Sequence, residues 1–166
     1  ATFLSKALDT LQYESSEKVR AQLVKACPFI PINYEEVAEL WEQFLTLSQN
    51  GQEKSYTSNL LLLFLRSLHQ FGNHPISELL TAYMVLALNK LLGGDESELH
   101  KIVLEHAALL HQRKNLQNTE QKLLKIAISS ALSEETRVLA VSALAQYQLD
   151  QSIIDTLFTT LLDTIH

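Results

Sequence analysis

Apolar residues recur every three to four positions along most of the chain, the spacing that places them on one side of an α-helix. No segment alternates apolar and polar residues as a half-buried strand does. Phe3, Leu4, Ala7, Leu8 and Leu11 mark a short leading helix over about Thr2 to Gln12. Ser15 or Ser16 then caps a second helix that runs to about Ala26. Pro28 and Pro31 end it, because proline lacks the N–H that a helix interior needs. Asn33 caps a third helix with Glu35 and Glu36 in its first turn, where carboxylates complement the helix dipole. The apolar positions of this helix are Tyr34, Val37, Leu40, Trp41, Phe44, Leu45 and Leu47. Asn50-Gly51 ends it, glycine tolerating a left-handed conformation past the last turn.

Ser55 to Phe71 reads as a fourth helix, apolar on all sides at its centre and so buried between neighbours. Gly72-Asn73-His74-Pro75 is a turn with two helix breakers. Ser77 is the expected cap of a fifth helix, Glu78 to Leu92, again apolar nearly all round. Gly93-Gly94-Asp95 closes it and opens a sixth, which reaches about Arg113. Asn118 or Thr119 starts a seventh that ends near Leu132. Ser133, with Glu134 and Glu135, opens an eighth to about Gln148, and Asp150 caps a ninth that reaches the C-terminus.

Paired after the leading helix, the first members of each pair open near Ser15, Ser55, Asp95 and Ser133, at spacings of 40, 40 and 38 residues. A period of ~40 residues with two helices per unit is the signature of helical solenoids. The segment Ser16 to Ala26 also aligns with Ser133 to Ala143 at Ser, Glu, Arg and the final Ala, three such units away. Glu134-Glu135-Thr136-Arg137-Val138-Leu139-Ala140-Val141-Ser142-Ala143-Leu144-Ala145 resembles the first helix of a HEAT-type repeat, in which an acidic residue precedes an Arg and a run of small and aliphatic residues. The match is confined to the last pair; the fourth and fifth helices lack the Arg and are Leu-rich. The expected fold is all-α over one domain, 1–166. It has about nine helices, four antiparallel pairs and a leading helix, stacked in a short HEAT-like right-handed superhelix. The alternative is a compact helical bundle. The chain opens on Ala1, which fits a piece cut from a longer protein, while Gln151, Asp155, Thr159 and Asp163 form a polar stripe that suits the outer face of a terminal helix.

Composition narrows the chemistry. The formal charge is −6 with no Lys/Arg cluster, which disfavours binding to a phosphate backbone. Hydrophobic residues make up 46% of the chain, enough for a core in 166 residues. A single cysteine, Cys27, excludes an internal disulfide and a Cys-based zinc cluster and fits a reducing compartment, so an intracellular, cytoplasmic location is expected, with the nucleus left open. The run Leu60 to Leu65 is too short to cross a bilayer, and no membrane insertion is expected.

No short motif supplies catalytic machinery. His100, His106 and His111 fall on one predicted helix, yet no pair has the i, i+3 or i, i+4 spacing that lets two ligands meet one metal. Glu96 and His100 stand at i, i+4 and can pair across one turn. Cys27 has no local histidine to activate it. The carboxylate pairs Glu35-Glu36, Glu96/Glu98 and Glu134-Glu135 each lie in a first helical turn, where the dipole accounts for them. There is no Gly-rich phosphate loop and no His-Glu-x-x-His. No cofactor, metal or enzymatic activity is expected.

Tyr34, Trp41 and Phe44 share one side of the third helix; they are core residues or an exposed aromatic anchor for a partner. The HEAT resemblance implies an adaptor or scaffold without catalysis. The expected function is therefore a non-enzymatic interaction module that presents a helical-repeat surface to a protein or peptide. The alternative is a compact helical regulator that inhibits or modulates another protein.

Overall fold

The computed structural model describes residues 6–7, 9–10, 13, 16–26, 33–113, 116, 118–147 and 151–165. Eight α-helices have both ends among the described residues: α1 (Glu17–Ala26), α2 (Tyr34–Asn50), α3 (Lys54–Arg66), α4 (Pro75–Leu92), α5 (Glu98–Glu105), α6 (Thr119–Ile128), α7 (Glu134–Leu144) and α8 (Gln151–Ile165). Two 3₁₀ segments, Leu68–Gln70 and Ala107–Gln112, follow α3 and α5. No strand occurs among the described residues, so the all-α reading holds. Lys6, Ala7, Asp9 and Thr10 are helical, but most of the predicted leading helix lies outside the described residues, as do Cys27, Pro28, Pro31 and the predicted cap Asp150.

Local chemistry explains most boundaries. Asn33 caps α2, its side-chain oxygen accepting from the N–H groups of Glu35 (3.1 Å) and Glu36 (3.4 Å). Gly51 closes α2 at φ 64°, its N–H donating to the Leu47 carbonyl. Ser133 caps α7 by accepting from the Thr136 N–H at 3.3 Å. Three expected boundaries move. Pro75 is the first residue of α4 and not its breaker, because a fixed φ suits the first turn and the missing N–H has no partner there anyway. His74 supplies the cap, Nδ1 accepting from the Ile76 N–H at 3.1 Å, and Ser77 is buried within the first turn. The long sixth helix divides after Glu105. Beyond it, buried Ala107 and Leu110 stand three apart, the spacing that a 3₁₀ turn puts on one side. The predicted fourth helix similarly ends at Arg66 and passes into 3₁₀ at Leu68.

The chain divides into two compact units, Ala1–Leu80 and Thr81–His166, with the division falling inside α4. In the first, α3 packs against both α1 and α2. Its core is aromatic. Trp41 and Phe44 of α2 meet Phe64 of α3 at ring-centroid distances of 5.3 and 6.2 Å, both edge-on, the geometry the ring quadrupole favours. Leu60, Leu61, Leu63 and Leu65 are also buried, as the all-round apolar centre of this helix requires.

In the second unit, α7 packs against α5 and α6, and α6 against α8. Thr136, Ala140, Ala143 and Tyr147 form the buried stripe of the α7 segment. Its small residues let neighbouring backbones approach closely. Helix α4 is the one described helix long and apolar enough to cross a membrane. Its stripe Leu80, Met84, Ala87, Leu88 and Leu91 is buried.

Candidate functional site

The aromatic trio of α2 separates by depth. Trp41 is 3% exposed and Phe44 fully buried, whereas Tyr34 is 46% exposed. All three lie on one side of the helix, but Tyr34 is its first residue, ~10 Å along the axis from Trp41. Helical side chains lean toward the N-terminus, so Tyr34 projects past the packed region. It is nevertheless fixed. Its ring stacks on His74 at 4.7 Å and 10°, and its hydroxyl donates to the Gln70 carbonyl at 3.4 Å. Glu35, Glu39 and Glu42 form an exposed acidic row on the adjacent face, and α2 holds no Lys or Arg.

The second unit contains a polar joint between positions 37 and 40 residues apart. The Glu96 carboxylate accepts from the Ser133 N–H (3.1 Å), the Ser133 hydroxyl (2.6 Å) and the Thr136 hydroxyl. It thus completes the cap of α7 from outside that helix. The hydrogen bonds from Ser133, then Thr136, hold its carboxyl below the usual carboxylate range. Beside it Lys101 bridges to Glu135 at 3.3 Å, which raises the ammonium pKa. His100 therefore does not pair with Glu96; its Nδ1 sits 3.0 Å from the Asp95 carbonyl. Arg137, the residue that carries the HEAT resemblance, donates from Nε to the Ala127 carbonyl at 3.0 Å and so closes the last turn of α6.

A cavity of about 360 Å³ opens between the 3₁₀ segment and the start of α6. Leu110 and Leu116 form its apolar wall, with His111 and Tyr147 beside them. Asn118, Thr119, Glu120 and Gln121 supply its polar wall. The Tyr147 hydroxyl donates to the Ala107 carbonyl at 2.9 Å, and His111 meets its ring edge-on at 4.8 Å. Burial, reinforced by the charge of Glu120, pushes the Tyr147 phenol up to about 12. Asn118 has φ 70° and makes no side-chain cap to α6. Thr119 is buried, at 7% exposure.

His106 is locally occupied: its Nδ1 lies 2.9 Å from the Ile102 carbonyl. Among the described residues no three His, Cys, Asp or Glu side chains converge as metal ligands would. The pattern of the sequence picked out Tyr34, Trp41 and Phe44 but missed the cavity and the Glu96 joint. The one signal for both was the ~40-residue spacing of the predicted helix starts: Glu96 precedes Thr136, and Ala107 precedes Tyr147, by 40 residues. No family model, curated protein or solved structure matches the chain.

Proposed function

We propose that this protein is a non-enzymatic interaction module whose α2 face docks a basic segment of a protein partner. The observation that carries the reading is Tyr34: an aromatic side chain half in solvent, held by a ring stack and a hydrogen bond, beside an acidic row. Rigid tyrosines lose little entropy on binding and are enriched at interface hot spots. The acidic row supplies complementarity and steering toward basic partners. Trp41 and Phe44 take no direct part in this surface, since both are buried; they hold α2 in place beneath it.

The proposed framework is a HEAT-like stack of helix pairs. In its support, the first helices of successive pairs, α5 and α7, touch each other, as do the second helices, α6 and α8. The bonds from Thr136 to Glu96 and from Tyr147 to Ala107 both link residues 40 apart, the spacing of the predicted helix starts. Nearest-neighbour contact at a fixed period is the physics of solenoids, which serve as binding scaffolds.

The test is a titration of the whole chain with a Lys/Arg-rich peptide and its Glu-substituted counterpart, followed by calorimetry. The basic peptide should bind and the acidic one should not. Tyr34→Ala should weaken binding by about tenfold, equivalent to about 1.4 kcal/mol, and leave helical content unchanged. Equal affinity of the Tyr34→Ala variant would overturn the assignment of this face.

A further inference from the structure

We infer that His74 is a proton-operated switch: on protonation it uncaps α4 and sets a positive charge against Tyr34, so that the α2 face releases a basic partner. The cap of α4 is of an unusual kind. Serine, threonine, asparagine and aspartate are the preferred residues before a helix, and all cap through an oxygen. Here an imidazole takes that place. The His74 carbonyl accepts from the Ser77 N–H at 3.0 Å, and its Nδ1 accepts from the Ile76 N–H at 3.1 Å. Only a ring nitrogen with a free lone pair can accept, so the neutral ring carries its proton on Nε2. A second proton makes donors of both nitrogens. Nδ1 then meets a donor with a donor, and the bond is lost. The same proton puts a full positive charge at the positive end of the α4 dipole. Both effects oppose the cap.

The cap and the exposed phenol share this one ring, which stacks on Tyr34 at 4.7 Å and 10°. A charged imidazole still attracts an aromatic face, so the stack survives protonation and the new charge stays against Tyr34. A Lys or Arg brought to Tyr34 and the acidic row of α2 then meets a like charge. The charged groups on the elements around the ring are of both signs. Glu35 in the first turn of α2 and Glu78 in that of α4 stand against Lys25 in the last turn of α1 and Arg66 in that of α3, and His69 is a second imidazole in the 3₁₀ segment. Residues 27–32, between α1 and α2, hold no Asp, Glu, Lys, Arg or His. His74 joins none of the ion pairs among the described residues. With both signs about the ring, the short-range exchange of an acceptor for a donor decides the response.

The release of a partner rests on the α2 face being a dock for a basic segment; the uncapping of α4 does not. Two measurements on the whole chain separate them. The first follows the Ile76 amide and the His74 ring protons by nuclear magnetic resonance from about pH 8 to about pH 5, the range in which imidazoles charge. The Ile76 amide should move with the same midpoint as the His74 ring. In His74→Asn, which caps through an oxygen that does not titrate, it should stay flat. An Ile76 amide that ignores the His74 titration, or that moves equally in His74→Asn, refutes the switch. The second measures binding of a Lys/Arg-rich peptide without histidine at both ends of this range. Acid should weaken it at least about threefold, the scale of one like charge ~7 Å away in water, and by less in His74→Asn. No loss in acid, or an equal loss in parent and variant, refutes the coupling to the α2 face. Absence of binding at either pH sinks the dock itself, and the amide titration of the unaltered protein still decides the uncapping.

Discussion

At the scale of single residues, side chains that bond to groups 40 residues away along the chain stand out. Thr136 is fully buried, and an unsatisfied hydroxyl there would be costly; the Glu96 carboxylate accepts its proton. The linkage has a definite sign. Because the folded-state pKa of Glu96 is depressed, its contribution is fully present above the ordinary carboxylate pKa of about 4.3 and is lost as pH falls through the folded value. Glu96→Gln should therefore be less stable than the parent near neutral pH, and the two should converge in acid. Urea unfolding at a series of pH values measures this. A constant difference down to the acid limit would mean that Glu96 acts through shape and not through charge.

At the scale of elements, α2 shows how one helix meets two demands. Its inner stripe of Val37, Trp41 and Phe44 is buried, and its outer row of Glu35, Glu39 and Glu42 is exposed. The inner stripe rests on Phe64 of α3. Trp41→Ala removes a large ring from a packed aromatic cluster and should destabilise the first unit by about 3–5 kcal/mol, read by chemical denaturation with circular dichroism. A loss under about 1 kcal/mol would show that the cluster collapses to fill the space. Element ends taught a different lesson. Pro75 marks a start because an upstream imidazole caps the first turn, and the Glu105 break reflects the three-residue spacing of Ala107 and Leu110.

At the scale of the whole molecule, charge and protonation set the working range. A net charge of −6 favours basic partners and makes such association weaken with salt. On the alkaline side two phenols matter. Burial, with Asp95 as a smaller cause, pushes Tyr83 up to about 12; burial, with Glu120, does the same for Tyr147. A pKa raised in the folded state means that the stability held below pH about 10 is lost as pH rises toward about 12, because the unfolded chain ionises first. The protein should accordingly unfold over this window with phenolate absorbance and loss of helical signal moving together. Phenolate absorbance that reaches its full value for all five tyrosines while the helical signal stays intact would contradict the burial of the Tyr83 and Tyr147 rings.

The sequence by itself determined the helical class, the caps at Asn33 and Ser133, the stop at Gly51 and the buried centre of α3. Each follows from local rules: a 3.6-residue period, a side-chain oxygen within reach of free N–H groups, and a backbone that only glycine adopts easily. Tertiary structure alone decided that Glu96 caps a helix 38 residues downstream, that Arg137 closes the end of α6, and that Tyr147 and Glu120 share a cavity. It also decided that Tyr34 stays at the surface while Trp41, on the same helical side, is buried. The reason is range: a cap is written within four residues of its helix, whereas depth and long-range pairing depend on which neighbour arrives, and no local pattern encodes that.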